Sequence, residues 1–275
     1  MPTPARAFTT VALVAVAAAG GLLGARWLGY TLSDPSCEFV VSGMSETTTT
    51  ERAANASTIA WESVERGLAP RAATIAIATA IQESKLQNIN YGDADSIGLF
   101  QQRPSQGWGT EEEILDPVYS TNAFYDALVE VDGWQDGVIT EVAQTVQRSA
   151  FPTAYADHEA EGRVMASALT GETAAAVTCD LDAPTGAGDA SALADELQGL
   201  GMQASSTGAS QVTVTGGDVS EAWAIAGWAV THAQGRQITS VSVDDLVWNR
   251  DDNPDVWSRP APAQDEATVT MMVAP

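Results

Sequence analysis

One glutamate in the middle of the chain stands where a carboxyl group could act as a general acid. Glu83 ends an apolar run in which Ile77 and Ile81 recur four residues apart, the spacing of a helix with one buried face. We expect this helix to begin at Pro70 and to fail near residues 88–90, where turn-forming residues follow. In the last helical turn, partial desolvation and the negative end of the helix dipole both raise the pKa of a carboxyl group. A carboxyl group that stays protonated near neutral pH is what general acid catalysis requires.

A glutamate at a helix end is most often a solvated side chain, so the residues that follow Glu83 decide its interpretation. Ser84 comes directly after it, and Gly92 and Asp93 form a Gly-Asp turn a few residues later. Residues 96–101 then read SIGLFQ. Each short motif is weak evidence alone, whereas their order at a transition from helix to loop is much more specific.

The order ES, then GD, then GLFQ resembles the lysozyme-like lytic transglycosylases, and goose-type lysozymes most of all. The resemblance covers residues 70–128 and thins towards residue 169, and GLFQ stands where the family usually has GLMQ. It implies that Glu83 is the catalytic acid and that the GLFQ turn lines a glycan-binding cleft. It also implies a role for Asp93, because goose-type lysozymes use an Asp in the equivalent turn to position or activate water. The alternative for Asp93 is an Asx-turn, in which the carboxylate bonds only to nearby backbone.

Several polar and aromatic residues near these motifs are candidates for sugar binding, because saccharides bind through amides, hydroxyls and aromatic rings. The candidate substrate-binding residues are Ser96, Gln101, Gln102, Trp108, Tyr125 and Tyr155. Trp108 has the alternative role of a core residue that plugs its loop. The resemblance also implies a further cleft segment, often with a Tyr, for which the closest matches are Gln147, Ser149 and Tyr155.

The composition excludes several classes of function. The 275 residues include 36 Asp and Glu against 12 Lys and Arg, which gives a net charge of −24. Nucleic acid and anionic lipid surfaces are therefore poor partners. Residues 93–104 begin like a calcium loop, but Ile97 stands where a ligand is expected and Pro104 where an acidic residue is expected. We expect no metal ion and no cofactor.

An apolar run precedes the rest of the chain. Residues 7–25 carry no charged side chain and come close to the roughly 20 residues needed to span a bilayer. Trp27 and Tyr30 follow, as in an aromatic belt at a membrane interface. We expect an uncleaved transmembrane anchor that places the protein in the cell membrane, and the alternative is a cleaved signal peptide. In both cases the bulk of the chain lies outside the cytoplasm.

The two cysteines, Cys37 and Cys179, flank the region that carries the motifs. In an oxidising compartment an isolated pair most simply forms one disulfide, and the alternative is two unpaired buried thiols. A bridge would tie the start of the motif-bearing domain to its end.

The patterning and the resemblance together predict an α+β multi-domain chain. A mainly α lysozyme-like domain is followed by a small α/β domain, with an N-terminal transmembrane helix. The expected parts are an anchor or signal segment at residues 1–30, a connector at 31–50, the helical domain at 51–181, a linker at 182–189 and the α/β domain, of unknown role, at 190–275. Alternation of apolar residues predicts strands at residues 211–215, 238–243 and 268–273.

The resemblance implies an exported enzyme that cleaves the β-1,4 bond between N-acetylmuramic acid and N-acetylglucosamine in peptidoglycan strands. The first expectation is a lytic transglycosylase with Glu83 as general acid and base, and the second is a lysozyme-type hydrolase in which Asp93 acts on water. Two alternatives belong to other classes. The protein could be a non-catalytic wall-binding or scaffold protein, or residues 190–275 could carry the main activity.

Overall fold

The chain forms helices and antiparallel strands, seen in a computed structural model that describes residues 34–147, 154–259 and 265–275. The residues Ser36–Pro275 belong to one compact unit. Their buried apolar side chains form one continuous cluster that includes both the helical part and the sheet-rich part of the chain.

The first sheet joins the start of the described chain to a segment far along the sequence. Its strands are β1 (Ser36–Val41), β2 (Met44–Thr49) and β3 (Val177–Asp180), in the order β2-β1-β3 with both pairs antiparallel. Cys37 and Cys179 lie opposite each other in the register of β1 and β3, and they form a disulfide across a sequence separation of 142 residues. The predicted bridge is therefore confirmed.

The helices after β2 surround one central helix. They are α1 (Thr50–Glu65), α2 (Pro70–Ser84), α3 (Glu111–Ile114), α4 (Pro117–Val129), α5 (Ile139–Gln147) and α6 (Glu159–Leu169), with 3-10 turns at Pro104–Gln106 and Ala154–His158. The central helix is α2, against which α1, α4, α5 and α6 all pack. Every side chain of α2 from Ala72 to Ile81 is buried, which explains why the run consists almost entirely of Ala, Ile and Thr.

A glycine lets α6 approach α2 closely. A Cβ atom on Gly162 would come within 3.0 Å of the Ala78 nitrogen and 3.1 Å of the Thr74 carbonyl oxygen. The two helices run in opposite directions, since the residue before α6, His158, contacts Gln82 near the end of α2, with Nε2 and Oε1 3.0 Å apart. The turn before α6 is thereby brought to the C-terminal end of α2.

The second sheet lies in the C-terminal part of the chain. The helices and strands of this part of the chain are α7 (Ala190–Gly199), β4 (Gln203–Thr207), β5 (Gln211–Thr215), α8 (Val219–Thr231), α9 (Ala233–Arg236), β6 (Ile238–Val243), β7 (Leu246–Asn249) and β8 (Thr268–Val273). The strand order is β4-β5-β8-β6-β7, and all neighbours are antiparallel. Alternate residues of β5 and β8 are buried, with α7 and α8 packed on the sheet. The strands predicted at β5, β6 and β8 are confirmed.

The helical part and the sheet-rich part contact each other directly. Helix α1 packs against α8, and the indole N–H of Trp61 in α1 donates to the carbonyl oxygen of Leu200 at 2.8 Å. The indole N–H of Trp257 donates to the carbonyl oxygen of Val177 in β3 at 2.8 Å. These contacts attach the C-terminal sheet region to the side of α1 and β3.

The fold class expected from the sequence is wrong. The structure is mixed α/β, because the expected connector at residues 31–50 forms β1 and β2, and these strands build a three-stranded sheet with β3 from the expected helical domain. Strand β2 was hidden in the sequence, since its MSETTT has no apolar alternation and its side chains are half-buried or exposed. Thr is β-branched and favours strands even at an exposed sheet edge.

The transmembrane part of the expected fold class is also corrected. Within the described residues, no helix has the length and apolar character needed to cross a membrane. The apolar run at residues 7–25, on which that expectation rests, lies outside the described residues.

Candidate active site

Glu83 lies in the last turn of α2, as the sequence predicts, but the helix ends earlier than expected. Helix α2 stops at Ser84, and the next two residues, Lys85 and Leu86, both adopt left-handed backbone angles with φ of 59°. The Lys85 N–H bonds to the carbonyls of the preceding turn, and Leu86 returns into the core, where it is fully buried. The chain therefore turns sharply just after Glu83, and this carboxyl group is left half-buried at the helix end.

Ser84 fixes the GLFQ turn against the end of α2. Its hydroxyl lies 2.8 Å from the Leu99 carbonyl oxygen and 3.1 Å from the Ala80 carbonyl oxygen. On the other side of the turn, the Gln147 amide at the end of α5 donates to the Phe100 carbonyl oxygen at 2.7 Å. The ES and GLFQ motifs are thus neighbours because a buried serine joins them.

The Glu83 carboxyl group is held by a buried tyrosine. The Tyr155 hydroxyl donates to Glu83 Oε1 at 2.6 Å, and the Tyr155 side chain is fully buried. Burial raises the pKa of Glu83, while the hydrogen bonds from Tyr155 and Gln147 and the charge of Lys85 lower it without cancelling the rise. The site therefore favours the protonated form of Glu83 more than water does, and Tyr155 stabilises the ionised form.

Asp93 is exposed on the loop after α2, and among the described residues its carboxylate has no hydrogen-bond or ion-pair partner. Its backbone carbonyl accepts from the Ser96 N–H at 3.0 Å, so this turn does not use the Asp93 side chain. The loop therefore does not form the Asx-turn that was the alternative for Asp93, and the Asp93 carboxylate is exposed to solvent.

Asp95 organises the same loop instead. Its carboxylate accepts from the Arg103 guanidinium at 2.7 Å and from the backbone N–H and hydroxyl of Ser105 at 2.8 Å and 3.0 Å. The Arg103 hydrogen bond, followed by the Ser105 bonds, holds the pKa of Asp95 well below its usual range. These contacts hold residues 93–96 against residues 103–105.

The candidate binding residues of the GLFQ region have different environments. Gln101 is half-buried, and its amide lies 3.4 Å and 3.3 Å from the carbonyl oxygens of Tyr91 and Gly98. A Cβ atom on Gly92 would lie 1.9 Å from Gln101 Oε1 and 2.6 Å from the Ser96 carbonyl oxygen, and the backbone contact requires glycine at this turn. Gln102 is buried and donates to the Ser120 carbonyl oxygen at 3.0 Å. Gln101 therefore shapes the Gly-Asp turn, whereas Gln102 attaches the GLFQ turn to α4.

The remaining candidate binding residues differ in how deeply they are buried. Ser96 is buried beneath the loop, and Trp108 is half-buried with its ring packed against the core. Tyr125 is completely buried and donates to the Ile59 carbonyl oxygen at 2.9 Å. This placement removes Tyr125 from the candidate substrate contacts, because its hydroxyl already has a partner inside the core. Ser149 lies outside the described residues.

Two residues near the site were not expected from the sequence to take part. Tyr91, directly before the Gly-Asp turn, is 69% exposed, the most exposed of the large apolar and aromatic side chains in the described chain. His158 lies one turn after Tyr155 and contacts Gln82, and burial lowers its pKa. Tyr91 could have been found from its position beside the GD motif. The placement of His158 depends on helix packing and has no signal in the sequence.

Within the described residues, no group of three or more His, Cys, Asp and Glu side chains is arranged to hold a metal ion. The chemistry available at the site is that of one partly buried carboxyl group, two hydrogen-bond donors to it and one nearby ammonium group.

No known protein-family model matches the chain, and no curated protein matches it significantly.

Proposed function

We propose that this protein is an exported enzyme that cleaves the β-1,4 bond between N-acetylmuramic acid and N-acetylglucosamine in peptidoglycan, with Glu83 as general acid and base. The observation that carries the proposal is the hydrogen bond of 2.6 Å from buried Tyr155 to Glu83, at the point where Ser84 joins the helix end to the GLFQ turn. The disulfide is consistent with an oxidising compartment outside the cytoplasm, where the cell wall lies.

The proposed reaction uses one carboxyl group twice. Protonated Glu83 donates its proton to the glycosidic oxygen as the bond from that oxygen to C1 of the muramoyl sugar breaks. The resulting Glu83 carboxylate, stabilised by Tyr155, accepts the proton of the muramoyl 6-hydroxyl, whose oxygen bonds to C1 and closes a 1,6-anhydro ring. Glu83 ends protonated as it began, and no water is consumed. The raised pKa of Glu83 favours the first step near neutral pH.

The test of this proposal is the chemistry of the products. We expect purified sacculi incubated with the protein to release fragments that end mainly in 1,6-anhydromuramic acid, as mass spectrometry would show. The physical reason is that transglycosylation needs only one positioned carboxyl group, since the substrate supplies the attacking hydroxyl. Absence of any glycan cleavage under conditions in which the protein is folded would contradict the enzymatic proposal.

The free carboxylate of Asp93 favours a second candidate, hydrolysis. Inverting hydrolysis needs a base that holds water on the opposite face of the sugar, with the two carboxyl groups roughly 6.5–9.5 Å apart. If the reaction is run in ¹⁸O-labelled water, reducing muramic acid ends that carry the label would identify the hydrolase. Asp93→Asn should then abolish activity as fully as loss of Glu83 does, whereas a transglycosylase should tolerate this change.

Tyr155→Phe is expected to lower kcat about tenfold and to move the basic limb of the pH–activity profile to higher pH. A hydrogen bond to a charged group is worth about 1.5–3 kcal/mol, and this one stabilises the Glu83 carboxylate formed in the first step. Without it the pKa of Glu83 rises further, so the carboxyl group stays protonated up to a higher pH.

The control for this variant is Tyr125→Phe. It also removes a buried hydroxyl, but that hydroxyl donates to the Ile59 carbonyl oxygen and not to Glu83. The pH profile of Tyr125→Phe should match the wild type. An unshifted profile for Tyr155→Phe, with the variant folded, would show that this hydroxyl does not act on the reacting carboxyl group.

A further inference from the structure

Lys85 is the only lysine of the chain, and it stands two residues after Glu83. Its left-handed backbone at the end of α2 fixes the start of its side chain at the same helix end as the Glu83 carboxyl group. The Lys85 side chain is exposed. Within the described residues, the one lysine ammonium group is therefore presented to solvent two residues after the candidate acid.

The Lys85 ammonium group has no hydrogen-bond or ion-pair partner among the described residues, although the protein carries a net charge of −24. The other described cations are mostly paired. Carboxylates bind the side chains of Arg66, Arg103, Arg163, Arg236 and Arg259, and backbone carbonyls bind those of Arg71 and Arg250. Arg52 is the other unpartnered cation, and its Nε atom is shielded from solvent. Within the described part of the chain, Lys85 is thus an unpaired cation in a protein whose acidic side chains outnumber its basic ones.

The charge of Lys85 affects the pKa of groups on three neighbouring elements. It lowers the pKa of Glu83 on α2, of His158 in the turn before α6 and of Glu161 on α6. The three groups, on α2, in the turn before α6 and on α6, therefore lie within electrostatic range of Lys85. Burial and the nearby Glu46 raise the pKa of Glu161, so this carboxyl group competes less strongly for Lys85.

We propose that Lys85 binds a carboxylate of the glycan strand next to the bond that is cleaved, so that the site prefers anionic strands to neutral ones. This inference rests on the proposed function and names the substrate feature that the same site would recognise. Peptidoglycan offers two carboxylate sources, the lactyl group of peptide-free muramic acid and the acidic groups of its peptide. Lys85 can attract a nearby carboxylate although the protein is acidic overall. The field of the more distant acidic side chains is screened within about 8 Å at physiological ionic strength.

Binding is best measured without turnover, in protein that carries Glu83→Gln. Titration calorimetry would compare neutral N-acetylglucosamine oligomers, peptide-free strands and peptide-bearing strands. Adding Lys85→Gln is expected to weaken binding of one anionic strand about fivefold, the most that an exposed ion pair usually contributes, and to leave the neutral oligomers unaffected. Weakening on peptide-free strands identifies the lactyl carboxylate, and weakening on peptide-bearing strands identifies the peptide.

Two controls separate charge from shape. Lys85→Arg should keep the preference for anionic strands, and Arg163→Gln, which removes a surface cation paired with Glu159 on α6, should not alter it. Because the chain has one lysine, chemical modification gives an independent check. Acetylation should remove the preference and reductive methylation, which keeps the charge, should retain it. Neither reagent should alter binding by the Lys85→Gln protein.

The outcomes distinguish this inference from the function on which it rests. If strands bind to the Glu83→Gln protein but Lys85→Gln weakens anionic and neutral ligands equally, or weakens neither, the role of Lys85 is refuted while the glycan site stands. If no glycan binds and the wild type does not cleave sacculi, the proposed function fails together with the inference.

Discussion

Replacing Glu83 with Gln is expected to reduce the rate of sacculus cleavage at least about 100-fold, the usual effect of removing a general acid, while the fold is retained. Gln keeps the shape of the side chain and can still accept the Tyr155 hydrogen bond. It cannot donate a proton to the leaving oxygen or accept one from the attacking hydroxyl. The measurement is the release of soluble fragments from purified sacculi.

The matched control is Glu62→Gln. Glu62 in α1 is also a shielded carboxyl group, 5% exposed, whose pKa is raised by burial and which accepts from the Asn122 amide at 2.6 Å. Its replacement makes the same chemical change outside the candidate site and should leave cleavage intact. Undiminished cleavage by Glu83→Gln would end the catalytic assignment and direct attention to residues 190–275.

The same variant has a second expected result, on stability. The pKa of Glu83 is raised in the folded state, so its contribution to stability is fully present below the unfolded-state pKa and is lost as the pH rises through the folded-state pKa. Above the unfolded-state pKa the wild type therefore loses stability as the pH rises, and Gln, which does not titrate, avoids this loss. Thermal unfolding should show Glu83→Gln to be more stable than the wild type at pH 7, with the difference vanishing below about pH 4.

The features that could be predicted from the sequence are those set by residues close together in the chain. Asp116 and Pro117 predict the start of α4, where the Asp116 carboxylate accepts from the Val118 N–H at 2.9 Å. The strands β5 and β8 follow from alternation over five or six residues. Glu83 at a helix end was predicted for the same reason, since its position depends on local periodicity and turn chemistry.

The features that could not be predicted depend on contacts between distant segments. Tyr155 reaches Glu83 across a separation of 72 residues, because the close approach allowed by Gly162 brings the turn before α6 to the end of α2. Helix α2 ends at Ser84 because Leu86 is drawn into the core, although no glycine signals the left-handed turn. Strand β2 exists because β1 is there to pair with it. In each case the partner, and not the local sequence, determines the structure.

Removal of the disulfide by Cys37→Ser with Cys179→Ser is expected to destabilise the protein by about 4 kcal/mol and to lower its Tm by roughly 8–16 °C. The bridge closes a loop with a sequence separation of 142 residues, and closure of so long a loop restricts the unfolded chain strongly in the chain-entropy model. Thermal unfolding of the double variant beside the wild type measures the effect.

The bridge joins β1 to β3, whereas Glu83 lies on α2 and Tyr155 in the turn before α6, so we expect its loss to act on stability and not on the chemistry. Below the transition temperature the double variant should therefore cleave sacculi at close to the wild-type rate. Reduction should lower the Tm of the wild type to that of the double variant and leave the variant itself unchanged. Equal Tm values for oxidised and reduced wild type would contradict a stabilising bridge. A large loss of activity at low temperature would show instead that the pairing of β1 with β3 helps to hold α6, and with it Tyr155, against α2.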